Sequence, residues 1–318
     1  MAAGGLVDHF EDARMKPRAA HLDDFERSLV AKGRTPEYIA LKVGRVRGVL
    51  DGCGWVYPRE IDPAGLEKSP HALRAEGGRS IQTSNDWLQA TTQFMRWLHQ
   101  NSRLDRDPLA GLKGGNVKTD RRHIRRTLPA DQLAKLLDVT RASAETVRGL
   151  GGDARHHAYV MALSTGFRLE EVAGLCPENF DLSADPPMVR LAAADIKNRQ
   201  GANQPLPRPT ADLLATYLGG KPVSQPIWPG TWGTRGANML KLDLKAAGIP
   251  YSVPGPDGPE FFDFHALRAT NITMLVQSGA TVREAQVLAR HSDPRLTLGV
   301  YTKLQTSDIA AAANRLPN

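Results

Sequence analysis

The strongest constraint on the fold is a helix-start signal that occurs twice in the chain. At Thr35-Pro36-Glu37 a capping hydroxyl, a proline suited to the first turn and an acid facing the helix dipole stand in succession. Behind them Ile39, Val43, Val46 and Leu50 recur at helical intervals, and Lys42, Arg45 and Arg47 are expected to be displayed elsewhere on that helix. A similar start, Thr127-Leu128-Pro129-Ala130-Asp131, leads Leu133, Leu136 and Leu137 into a second helical region. Around the first start, His21–Lys32 carries the stripe Leu22, Phe25 and Leu29. A helix from about Ser84 to Gln100 should bury Trp87 or Leu88, Thr91, Phe94, Met95 and Leu98. The Pro/Gly-rich stretch 58–79 reads as loop with one short helix near Pro70–Ala75. After the second start, a helix around Ala154–Ser164 closes at Thr165-Gly166 and another begins near Leu169. From Asn179 to Pro207, short apolar runs alternate with turn residues, as in a small antiparallel sheet. The chain then reads as helical from Thr210 onward, apart from a loop at Gly248–Glu260. The fold class is therefore mainly α with a small antiparallel β-sheet (α+β).

Charge divides the 318 residues. Positions 1–115 hold 17 basic and 15 acidic side chains, and positions 128–318 hold 19 and 18. The twelve residues between carry Lys118, Arg121, Arg122, Arg125 and Arg126 against Asp120 alone, so +4 of the net +7 lies there. The expected organisation is a helical domain over 1–115, a basic linker over 116–127 and a second domain over 128–318. Blocks of like charge stay extended and bind polyanions, so the linker is expected to run along a nucleic-acid backbone. No apolar run approaches the ~18 residues of a membrane span, and the first residues lack a secretory pattern. Two cysteines, Cys53 and Cys176, are too few and too far apart for a disulfide framework or a cysteine zinc site, and a reducing cytoplasm is expected.

Four segments of the second domain place polar residues in apolar surroundings. Arg168 follows a Thr-Gly turn in ALSTGFRLEEVAGL. His265 and Arg268 lie three apart on one face in FHALRATNITMLV. Lys197 sits at a turn between two expected strands, His291 ends one helix, and Tyr301 lies within the next. Phosphodiester chemistry needs cations that hold the non-bridging oxygens while charge builds on them, and two guanidiniums do this with forked donors. It also needs a nucleophile, a base and an acid. A tyrosine can be the nucleophile, because its phosphodiester conserves the bond energy for rejoining. A lysine can protonate the departing sugar oxygen. The chain contains no carboxylate cluster of the two-metal type and no phosphate-cradling glycine loop. His156-His157, at adjacent helical positions, diverge by about 100° and are not expected to bind metal.

The ordered set Arg168, Lys197, His265-x-x-Arg268, His291 and Tyr301 strongly resembles the tyrosine recombinase (phage integrase) family. The resemblance spans the whole second domain, and more loosely the first, which is similar to that family's helical core-binding domain. Thr165-Gly166-Phe167-Arg168 followed by Leu169-Glu170-Glu171-Val172 matches its first arginine box, with Glu171 at the family's acidic position behind the arginine. Two departures stand out. Arg290 occupies the place where the family usually has glycine, and Tyr301 lies ten residues beyond His291 rather than nine. The extra residue is expected in the Ser292-Asp293-Pro294 turn; within the helix it would rotate the tyrosine position by about 100°.

The resemblance implies a site-specific recombinase, or integrase of a mobile element, that cuts and rejoins double-stranded DNA through a 3′-phosphotyrosyl intermediate. It implies Tyr301 as nucleophile and Arg168 and Arg268 bracing the phosphoryl oxygens. His265 and His291 would manage proton and phosphate contacts, and Lys197 would be the acid. No cofactor or metal is implied. The partners implied are two DNA sites held by a homo-tetramer, with no membrane, in the cytoplasm at the nucleoid. The two domains are expected to close around the duplex, and Lys42, Arg45, Lys118, Arg121, Arg122, Arg125 and Arg126 are the expected DNA contacts. Ser307-Asp308 would cap a final helix that docks either in a neighbouring subunit or within the same chain. Two rival readings remain: a catalytically idle DNA-binding architectural factor, and a type IB topoisomerase.

Overall fold

The computed structural model describes residues 13, 15–62, 64–65, 78–191 and 201–301. The chain forms two compact units, Met1–Arg122 and His123–Asn318. In the first, α1 (Arg18–Ala31), α2 (Pro36–Gly52) and α3 (Ile81–Gln100) bury one apolar stripe each. Phe25 of α1 meets Phe94 of α3 with ring centroids 5.3 Å apart, between Leu22, Val46, Leu50 and Leu98. Each such side chain contributes about 1.5–3 kcal/mol through burial. Thr35 caps α2 as the sequence implies, its hydroxyl accepting from the Tyr38 N–H.

The unit also departs from expectation in two places. Helix α3 starts before Ser84, because the Ser80 hydroxyl accepts from Thr83 N–H at 3.1 Å and the Asp120 carboxylate accepts from Ile81 N–H at 2.7 Å. No local pattern announces a cap that arrives from 39 residues away. Lys42 is not displayed. It is buried, with its ammonium 5.5 Å from the centroid of the Tyr38 ring one turn earlier. Arg45 is half-buried and pairs with Asp86 at 2.9 Å, whereas Arg47 is exposed. The short helix expected near Pro70–Ala75 lies outside the described residues.

The second unit opens with β1 (Ile124–Arg125), then α4 (Ala130–Ala142), α5 (Gly152–Thr165) and α6 (Leu169–Ala173). Strands β2 (Phe180–Asp181), β3 (Met188–Leu191) and β4 (Ala202–Pro205) form the expected antiparallel sheet, with Val189 opposite Phe180 on one side and Gln204 on the other. Next come α7 (Arg208–Leu218), α8 (Gly236–Ala246), β5 (Ser252–Val253), β6 (Glu260–Phe261), α9 (Phe264–Gln277), α10 (Val282–Leu288) and α11 (Pro294–Tyr301). The core gathers Leu136, Tyr159, Phe167, Trp228, Trp232 and Phe264. A buried ion pair, Arg155 with Asp243 at 2.9 Å, is completed by the Tyr159 hydroxyl donating to Asp243 at 2.7 Å. His156 and His157 are buried; they hydrogen-bond the Leu137 and Asp153 carbonyls, and His157 stacks on Tyr217.

A second sheet corrects the expectation of a free basic linker. Its order is β1-β6-β5, with β1 parallel to β6 and Arg125 opposite Phe261. Three arginines of the segment are engaged within the protein. Arg122 pairs with Asp120 at 2.7 Å and donates to the Gly78 and Arg79 carbonyls. Arg125 pairs with Asp263 at 3.0 Å, and Arg126 donates to the Pro250 carbonyl. Lys118 and Arg121 are exposed. A strand of two residues has no periodicity to read, and its partner lies 136 positions away. Among the described residues, no helix is long and apolar enough to cross a membrane.

Candidate active site

The site is built where the ends of α5, α9 and α10 meet. Helix α5 terminates at Gly166, whose left-handed backbone (φ +65°) suits glycine. Space adds a second requirement: a Cβ there would lie 2.8 Å from Asn271 Oδ1. Asn271 donates to the Leu163 carbonyl at 2.6 Å, and Gln204 of β4 donates to the Thr165 carbonyl at 2.8 Å. The turn that presents Arg168 is thus fastened to α9 and to the hairpin that brackets Lys197. Lys197 itself lies outside the described residues.

Arg268 ties the separate segments together. Its side chain is buried, and its two terminal nitrogens donate to the carbonyls of Gly166 and Ala289, each two residues before a signature residue, Arg168 and His291. Burial first, then Arg168 and Arg290, lower its pKa to about 10, so it remains a cation at neutral pH. Arg168 is the more open arginine, with its side chain 30 % exposed. Its backbone N–H and one terminal nitrogen both donate to Glu171, at 2.7 and 2.9 Å. Burial raises the pKa of Glu171, but hydrogen bonds and charge from Arg290 and Arg168 outweigh it, and the carboxyl is held below its ordinary value.

His265 occupies the first turn of α9. Asp263 caps that helix by accepting from Ala266 N–H at 2.9 Å, and it also accepts from Arg125 and from His123 Nε2. His265 is exposed. Lost solvation, then Arg125 and Arg268, nevertheless push its pKa down to about 4, against the pull of Asp263. His291 is half-buried and also lowered to about 4, by desolvation, then Arg268, Arg168 and His265. Its Nδ1 lies 2.9 Å from the hydroxyl of Thr297, a buried residue of α11. Ser292 and Asp293 form a bend, and α11 runs unbroken from Pro294 to Tyr301. Position 301 falls one turn beyond Thr297 on the same helix face.

The structure therefore brings Arg168, Glu171, His265, Arg268 and His291 to one place. It adds residues the sequence reading did not assign, namely Asp263, Asn271, Gln204 and Thr297. Asp263 carried a readable signal, an Asx cap directly before Phe264-His265; the other three carried none. Two neutral imidazoles among three guanidiniums form an anion site that keeps proton acceptors beside it. Among the described residues, no group of three or more His, Cys, Asp or Glu side chains is placed to hold a metal ion.

Comparison with known proteins gives a consistent picture. A model of the phage integrase family matches residues 126–308. Tyrosine recombinase XerC of Mycobacterium leprae (strain TN) is 27% identical over 302 residues, 91% of this chain and 95% of that protein. Among solved structures, a lambda integrase dimer bound to a COC′ core site superposes with a TM-score of 0.71 at 14% identity, covering 94% of this chain and 81% of that one. A lambda integrase tetramer bound to a Holliday junction gives a TM-score of 0.69 at 15% identity, covering 90% and 77%.

Proposed function

The chain belongs to the phage integrase family and is a site-specific tyrosine recombinase that cuts and rejoins DNA; from that premise we propose which of its residues carry the reaction. Tyr301 attacks the scissile phosphorus, the bond to the 5′ oxygen breaks, and a 3′-phosphotyrosyl link forms. Arg168 and Arg268 brace the non-bridging oxygens as charge accumulates on them. His265 takes the phenolic proton, His291 hydrogen-bonds the phosphoryl group, and Lys197 protonates the departing 5′ oxygen. Rejoining reverses each transfer: a 5′ hydroxyl attacks the phosphotyrosine and the phenol leaves.

The observation that carries this reading is the Arg268 guanidinium joined to the carbonyls of Gly166 and Ala289, because it draws the Arg168 and His291 segments onto the helix of His265. The electrostatics support the histidine roles. In the free protein, desolvation and the surrounding cations hold both rings neutral. A bound phosphodiester supplies negative charge, raises both pKa values and strengthens His265 as a base once substrate has arrived. The working assembly is a homo-tetramer on two duplexes, in keeping with the lambda integrase tetramer on a Holliday junction. It acts in the cytoplasm, at the nucleoid. Of the expected DNA contacts, Lys118 and Arg121 are exposed and form no ion pair among the described residues.

The test uses a duplex selected from random-sequence DNA by binding to the Tyr301→Phe protein, then nicked beside the cleavage point. Wild type should trap a covalent complex in chelator-containing buffer, and Tyr301→Phe should not. A wild-type protein that binds this duplex without cleaving it would identify an idle binder. Efficient relaxation of supercoiled plasmid by monomer would identify a topoisomerase.

A further inference from the structure

Arg290 is an arginine in a backbone conformation that favours glycine. Its φ is +51°, in the left-handed region. An arginine held in that conformation points to a role for its side chain. That side chain is half-buried, lies with its guanidinium carbon 4.6 Å from the centroid of the Phe167 ring, and donates through a terminal nitrogen to Glu171 Oε2. Glu171 is buried and has three donors: Arg168 Nη1 on Oε1, and the Arg168 backbone N–H and Arg290 on Oε2.

We propose that Arg290 is a positioning residue for strand cleavage, fixing the Glu171 carboxylate so that Arg168 keeps its orientation toward the phosphate and its charge is not fully offset by that carboxylate. This rests on the reading that Arg168 and Arg268 brace the scissile phosphate. Without Arg290, two guanidiniums and one carboxylate leave the site a net +1, and Glu171 Oε2 keeps only a backbone donor. With Arg290 the net is +2. A phosphodiester carries a single charge in the ground state and accumulates more on its non-bridging oxygens as the phenolate adds. The added cation therefore acts chiefly in the transition state, and its loss should appear in the cleavage rate and hardly in DNA affinity.

Arg290→Gly is a clean probe, because glycine suits this backbone and the variant should fold. On the nicked duplex described above, Arg290→Gly should lower the single-turnover cleavage rate about ten- to a hundredfold. Its DNA affinity, measured in the Tyr301→Phe background, should stay within about twofold. Arg290→Lys should recover most of the rate, since one charged donor to Oε2 suffices. In an Glu171→Gln background, adding Arg290→Gly should cost less than about threefold more, because both changes break the same link. Wild-type cleavage by Arg290→Gly would overturn the proposal. So would a rate loss that only tracks a lowered melting temperature, or one of equal size in the Glu171→Gln background. Failure of wild type itself to cleave would instead overturn the assignment of the reaction, and the role of Arg290 with it.

Discussion

Thr297 shows how a single hydroxyl can couple His291 to the helix that follows it. It is fully buried, binds His291 Nδ1 at 2.9 Å, and stands one turn before Tyr301 on the same helix. The ring proposed to hold the phosphate and the helix proposed to carry the nucleophile are therefore registered by one hydrogen bond. Thr297→Val keeps the side-chain volume and removes that bond. It should cost about 1 kcal/mol in urea unfolding and slow single-turnover cleavage roughly ten- to a hundredfold through misplacement of His291. Thr297→Ser should restore both, and an unchanged rate in the valine variant would remove Thr297 from the site. Arg168, His265, Arg268 and His291 were legible in the sequence because each stands in a distinctive local setting and the set has a recognisable order. Thr297, Asn271 and Gln204 were not, since a single polar residue in an amphipathic helix or strand looks the same whether it faces solvent or a buried partner.

At the scale of elements, the first turn of α9 organises the site, and Asp263 organises that turn. Its carboxylate caps the helix at Ala266 N–H and receives Arg125 from β1 and His123 beside it. Burial opposes the charge on Asp263, but Arg125 and His123 outweigh it and hold its pKa below the ordinary value. Asp263→Ala should destabilise the protein by about 0.5–2 kcal/mol through the lost cap, read in urea titrations. It should also slow cleavage, because His265 and Arg268 are carried on the loosened turn. Asp263→Asn keeps a capping oxygen and should recover most of the stability; an alanine variant as stable as wild type would show that the cap is idle. The helices were legible from their apolar stripes and capping residues, and the β2–β4 sheet from its turn punctuation. The β1-β6-β5 sheet was hidden. Strands of two residues carry no alternation, and the charge pattern of 116–127 read as an extended tether although Arg125 and Arg126 are bonded to distant loop and cap residues.

For the whole molecule, charge sets the response to pH and to salt. His21, His157, His265 and His291 all have pKa values lowered first by desolvation. The unfolded chain therefore binds protons that the folded protein refuses, and stability is lost as pH falls from about 6.5 toward 4. The melting temperature should drop on acidification through that window. His291→Gln should flatten the drop, and solvent exposure discounts the share of His265; a melting temperature independent of pH from 7 to 5 would contradict the neutral rings. Salt tests the basic segment, where the five cations fall into two classes. Arg122, Arg125 and Arg126 are spent on Asp120, Asp263 and carbonyl oxygens, so their replacement should lower thermal stability before it weakens DNA binding. Lys118 and Arg121 are exposed, and neither forms an ion pair among the described residues. If each neutralises one phosphate, replacing both by serine should reduce the slope of log K against log salt by about 0.9 per residue, on any duplex sequence, with the melting temperature unchanged. An unaltered slope in that double variant would mean that the segment's open charges do not touch the backbone, and that DNA affinity is supplied from elsewhere on the two units.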